Sequence, residues 1–155
     1  MGDRAVITTL CEDVRKSDNI GIYLNKCGER DSIEAILAYC KLKGYRTPET
    51  DNYGWARLCQ VIGNYLGEET GLGIDICRRL DCDNSQNGVY VIENWEIVGR
   101  QYHKGEESIN NPLYEMLCAI NESQPYEEQI ELQIIQKYCN MEIPKEKTRK
   151  TICYR

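Results

Sequence analysis

The sequence predicts an α+β fold: a mainly antiparallel sheet of about five strands with four helices, in the order ββααβββαα. Three observations predict it. Runs rich in β-branched residues fall in two separated blocks, and four apolar stripes with helical spacing fall in two pairs. Strands and helices do not alternate one for one, as a doubly wound parallel sheet would require.

The elements follow in order. Arg4–Leu10 (RAVITTL) and Ile20–Leu24 (IGIYL), with the polar EDVRKSDN between them, read as an antiparallel strand pair. Asp31-Ser32 supplies an expected N-cap for a first helix, whose stripe is Ile33, Ile36, Leu37 and Cys40 and whose stop is Gly44. Pro48, Thr50 and Asp51 break and restart the chain. A second stripe follows, Trp55, Leu58, Cys59, Ile62, Tyr65 and Leu66, ending at Gly67, so the two helices read as a helical hairpin. Gly71–Ile76 alternates as a strand, and Val89–Ile92 with Trp95–Tyr102 reads as a hairpin turning near Glu93-Asn94. Pro112 opens a third helix through Leu113, Met116, Leu117 and Ile120. A fourth runs through Ile130, Leu132, Ile134, Ile135 and Tyr138; its broad stripe suits packing against a second copy in a homodimer.

A length of 155 residues suits one domain, expected at 1–139, with a basic C-terminal tail at 140–155. Hydrophobic residues at 41% and charged residues at 28% exclude a disordered or fibrous chain. The longest apolar runs, such as Val89–Ile92, fall far short of the ~20 residues of a spanning helix. The start, MGDRAVITT, lacks a basic region followed by an apolar one, so a cytoplasmic protein is expected. A net charge of -6 argues against direct nucleic-acid binding through the overall field.

That charge is unevenly placed. Glu106, Glu107, Glu115, Glu122, Glu127, Glu128 and Glu131 follow one another from Gly105 to Gln136 without a Lys or Arg, whereas residues 140–155 carry a local +3. One reading is a set of solvated helix faces; the other is an acidic surface that binds a basic groove on a partner.

Nine cysteines occur without a Cys-x-x-Cys, and the one histidine, His103, lies far from the closest pair, Cys77 and Cys82. Zinc spacing is therefore missing, and no metal or cofactor is expected. Cys40, Cys59, Cys118 and Cys139 fall in helical apolar patterns and read as reduced, packed thiols. With no Phe, the eleven Tyr and two Trp must supply the aromatic bulk.

Catalytic patterns are weak. Cys27 with His103 would make a nucleophile and base, but no spacing supports the pair. Gly71-Leu72-Gly73 lacks the third glycine and following helix of a dinucleotide fingerprint. Asp81–Gly88 places oxygen side chains at alternating positions like a calcium loop, yet Gln86 and Ile92 stand where a glycine and a bidentate glutamate are required. No catalytic residue is assigned, and an enzyme is not expected. Trp55, Arg57, Trp95 and Arg100 could instead contact a nucleotide through aromatic and cationic groups, beside the simpler reading that both indoles fill the core.

Three stretches carry a family pattern: GIYLNKCGERDSIEAILAYCKLKGYR, YGWARLCQVIGNYLG with the following GLGID, and DNSQNGVYVIENWEIVGRQYHKG. Over about residues 3–123 the chain resembles a family of small, mostly uncharacterised proteins encoded by phages, prophages and mobile elements of Gram-positive gut bacteria. The resemblance implies an anti-defence setting. It makes an anti-CRISPR protein the leading expectation: a stoichiometric inhibitor whose acidic surface occupies the nucleic-acid channel of a Cas effector. The alternatives are a sponge for a nucleotide immune signal and an interaction module for another partner.

Overall fold

Ala5–Thr8 is an unbroken buried tetrapeptide, and its position explains why: as β1 it is the middle strand of the sheet and is covered on both faces. The computed structural model describes residues 3–67, 71–107 and 109–142. Beside β1 lie β2 (Ile20–Leu24) and β3 (Leu72–Ile76) on one side, and β4 (Val89–Glu93) and β5 (Glu96–Gln101) on the other, in the order β3-β2-β1-β4-β5. Three of the pairings are antiparallel, and β1 with β4 is parallel. The fold is therefore α+β, with the expected number and order of elements and a mixed, mainly antiparallel sheet.

The period of two in the strands divides the interior. Ala5, Ile7, Ile22, Leu24, Tyr90 and Ile92 face the main core. The helices α1 (Arg30–Leu42), α2 (Asn52–Leu66), α3 (Leu113–Glu122) and α4 (Leu132–Glu142) all contribute to that core, α4 through Ile135 and Cys139. The intervening residues Val6, Val89 and Val91 face the other way, onto Val14, Cys77 and Cys82. Short 3-10 turns at Val14–Lys16 and Cys77–Arg79 bring two of these residues over that face.

Several local expectations are corrected. The first helix begins at Arg30 with Glu29 at its cap position, because the carboxylate of Asp31 is engaged elsewhere. Buried Asp31 accepts hydrogen bonds from the backbone N–H groups of Asn110 and Asn111 at 3.2 and 3.1 Å, anchoring the approach to α3. The β4–β5 turn is Asn94-Trp95 rather than Glu93-Asn94, and both residues are left-handed (φ 55° and 61°), the backbone hand that suits a two-residue hairpin. Trp95 adopts it despite its bulk, since its indole is buried and its Nε1 donates to the Tyr45 carbonyl at 2.9 Å. The fourth helix starts at Leu132, because Ile130 is held in the preceding loop. It runs to Glu142, past the expected boundary at 139, and the rest of the basic tail lies outside the described residues.

No helix among the described residues is long and apolar enough to cross a membrane. The eight described cysteines are free thiols, with Cys40, Cys77, Cys82 and Cys139 buried. Buried tyrosines are tied by their hydroxyls: Tyr90 donates to the Gly28 carbonyl at 2.6 Å, joining β4 to the segment ahead of α1. Tyr90→Phe should lower stability by about 1–2 kcal/mol, because that carbonyl loses its donor inside the core. Urea denaturation measures this, and an unchanged midpoint would refute the assignment.

Candidate functional site

The seven carboxylates of the acidic stretch separate into two groups. Glu107 accepts from Arg30 at 2.8 Å and also from Arg100, so it bridges α1 and β5. Burial works against its ionisation, but the two guanidinium hydrogen bonds prevail and hold its carboxyl below the usual range. Glu128 accepts from the Tyr45 hydroxyl at 3.1 Å and pairs with Lys43 at 3.3 Å, and these contacts likewise keep it low. Both are engaged in holding the fold together. Glu106, Glu115, Glu122, Glu127 and Glu131 are exposed and make no ion pair with the described residues.

Three of those five gather where α3 gives way to α4. The connection is not a loose loop. Asn121, buried at the end of α3, donates its Nδ2 to the Ile130 carbonyl at 2.9 Å and accepts the Ile130 N–H at 2.7 Å, bringing Glu122 and Glu131 to neighbouring positions. Buried Gln124 donates to the Val61 carbonyl at 3.2 Å and accepts from Asn64 at 2.9 Å, fastening the connection to α2. The Tyr39 hydroxyl reaches it from α1, donating to the Glu128 carbonyl at 2.5 Å. On this fixed segment Tyr126 is 85% exposed, and α4 adds Leu132 at 53% and Ile134 at 45%. The backbone that carries Tyr126, Glu122, Glu127 and Glu131 is thus held in place, while Leu132 and Ile134, two residues apart on α4, point to different sides of that helix.

The four residues considered for a nucleotide take other positions. Trp55 and Trp95 bury their rings in the main core, with Trp95 also lining a small cleft of about 200 Å³. Arg100 lies over the Tyr90 ring at 3.8 Å, donates to the Val89 carbonyl at 3.2 Å and is bound to Glu107. Arg57 is the exposed member, lying over the Tyr45 ring at 4.7 Å. Tyr53, Trp55 and Arg57 are close in sequence, but at ~100° per residue Trp55 faces away from the other two. The informative signal was Tyr53, Arg57 and Gln60, spaced i, i+4, i+7 on the outer face of α2.

Cys27 is half-buried, and burial together with the charge of Glu29 pushes its thiol up, away from the thiolate a nucleophile needs. His103 sits instead near Arg100, Glu107 and Arg30, and burial followed by the Arg100 charge shifts it down. In the Asp81–Gly88 segment the amide of Asn84 is turned inward. Its Oδ1 accepts the Gln86 and Gly88 N–H groups at 3.1 and 2.9 Å, and its Nδ2 donates to the Asp81 carbonyl at 3.0 Å. No group of three metal-ligating side chains occurs among the described residues.

One carboxyl stands apart in its titration. Burial, a hydrogen bond with Asp3, and the charges of Asp3 and Asp31 raise Glu29 to about 7. The folded chain thus binds a proton there more readily than the unfolded chain. The stabilisation is complete below the ordinary value of 4.5 and is lost as pH rises through about 7. Wild-type stability should therefore fall relative to Glu29→Gln between pH 5 and pH 8; parallel urea midpoints for the two proteins would refute this.

No family model matches the chain, and no curated protein or solved structure matches it.

Proposed function

We propose that the chain is a stoichiometric binding protein that docks its acidic α3–α4 end on a basic, nucleic-acid-binding surface of a protein partner. The observation that carries the reading is Tyr126: an aromatic ring 85% exposed on a segment pinned by buried amides, with Glu122, Glu127 and Glu131 around it. An exposed aromatic ring on a pinned backbone, edged by like charges, is the composition of a surface that finds a basic groove by electrostatic attraction and grips it by burying a ring. The family resemblance of residues 3–123 supplies the setting, an anti-defence protein, and within it an anti-CRISPR inhibitor of a Cas effector is the leading assignment. The chain then works by occupancy and not by catalysis, blocking the channel that guide or target nucleic acid would fill.

The acidic stretch is narrowed accordingly. Glu107 and Glu128 are left out of the docking set because reversing either would strand Arg30, Arg100 or Lys43 and test folding instead of binding. The test is a pull-down with a Cas effector, with and without its guide RNA. Capture should be strongest from the RNA-free effector and should weaken steeply with salt, since exposed charges are screened over about 8 Å at physiological ionic strength. The triple variant Glu122→Lys, Glu127→Lys, Glu131→Lys should abolish capture, and Tyr126→Ala should weaken it by at least about tenfold, the effect of losing one interface anchor. Capture that ignores the triple variant would overturn the proposal.

A further inference from the structure

Around the Tyr45 ring, the protein carries a feature of the opposite charge. A cleft of about 530 Å³ opens between residues 44–46 and the outer face of α2, lined by Tyr45, Arg46, Tyr53, Ala56, Arg57 and Gln60. The helical spacing of Tyr53, Arg57 and Gln60 places all three along one wall, opposite the buried stripe of Trp55, Leu58 and Ile62. Two arginine–tyrosine stacks shape the cleft. The Arg46 guanidinium lies over the Tyr53 ring at 5.1 Å, and that of Arg57 lies over the Tyr45 ring at 4.7 Å.

The charges around the cleft are distributed unequally. Asp51 is engaged twice, capping α2 by accepting the Tyr53 N–H at 2.8 Å and pairing with Arg46 at 2.8 Å. Glu128 lies within range of the Arg57 charge, but one of its oxygens already accepts from both Tyr45 and Lys43. Arg57 donates at 3.2 Å to a neutral partner, the Oε1 of Gln60. The positive excess therefore rests on Arg57, with the outward edge of Arg46 beside it. Tyr53 is 66% exposed, so its ring is open to solvent beside the Arg46 guanidinium.

A guanidinium resting over an aromatic ring keeps N–H groups at its edge that match the oxygens of a phosphate. An open tyrosine ring and a guanidinium plane both stack bases. The cleft volume falls within the ~300–1,000 Å³ of small-molecule sites and exceeds what a lone phosphate would occupy. We propose that the cleft between residues 44–46 and α2 binds a free nucleotide, its phosphates on Arg57 and Arg46 and its base stacked at Tyr53. The cleft adjoins the α3–α4 connection through Tyr45 and Glu128, but it uses none of Tyr126, Glu122, Glu127 and Glu131 and stands whether or not those residues dock on a partner.

Calorimetry of the full chain with ADP tests it, with adenosine, inorganic phosphate and a dT10 oligonucleotide as comparison probes. ADP should bind saturably at one site. Adenosine and phosphate should each bind at least about tenfold more weakly, since each keeps only part of the contact. Arg57→Ala and Tyr53→Ala should each weaken ADP by at least about tenfold without moving the thermal midpoint, and Tyr53→Phe should restore binding because the ring is kept. The triple lysine variant at Glu122, Glu127 and Glu131 should bind ADP at least as well as wild type, which separates this site from the docking surface. Absence of saturable heat with ADP, ADP binding unmoved by Arg57→Ala, or dT10 binding that ADP does not displace would each overturn the proposal.

Discussion

With no phenylalanine in the chain, every large aromatic ring that enters the interior brings a hydrogen-bonding tip, and the fold is arranged around where those tips end. Tyr90 reaches the Gly28 carbonyl, Tyr39 the Glu128 carbonyl, Tyr45 the Glu128 carboxylate, and Trp95 the Tyr45 carbonyl. Each joins elements distant in sequence. Together they connect the β4–β5 hairpin to the end of α1, and α1 to the α3–α4 connection. No buried side-chain nitrogen or oxygen among the described residues is left without a partner. An aromatic core of this kind specifies its arrangement more narrowly than an aliphatic one, because a misplaced ring strands a polar atom as well as losing contacts.

The same constraint explains why the acidic stretch is two things. Glu107 and Glu128 complete the interior's hydrogen bonding at its margins, Glu107 between Arg30 and Arg100, Glu128 beneath Tyr45 and Lys43. Their neighbours Glu106 and Glu127 project into solvent. Adjacent carboxylates thus serve opposite ends, one holding the frame and the other decorating it. The α3–α4 connection is held by Asn121 and Gln124, whose buried amides both donate and accept.

Element type and order were legible in the sequence because they follow from periodicity: the stripes of α1, α2 and α3 and the β-branched runs of β1, β2 and β4 admit few other readings. Bounds and caps were less so. Asp31 has the composition of an N-cap, and only its long-range bonds to Asn110 and Asn111 show why it does not act as one. A tryptophan in a left-handed turn position runs against local preference, and burial of the Trp95 ring overrides it. The stacks of Arg46 on Tyr53 and Arg57 on Tyr45 required knowing that residues 44–46 fold back along α2. Which carboxylates are free was hidden for the same reason, since the partners of Glu107 come from Arg30 and Arg100 on two other elements.

The parallel pairing at the middle of the sheet bears on how the molecule assembles. β1 meets β2 after a short connection and β4 meets β5 after two residues, but Val6 finds Val89 only when most of the chain is in place. Closing the local hairpins costs little entropy, whereas the long closure that joins β1 to β4 costs more and depends on the residues between them. Until that closure, one side of the AVIT strand has unpaired N–H and C=O groups beside apolar side chains, the combination that draws in other chains. During synthesis on the ribosome, the strand destined for the centre of the sheet is its most vulnerable edge.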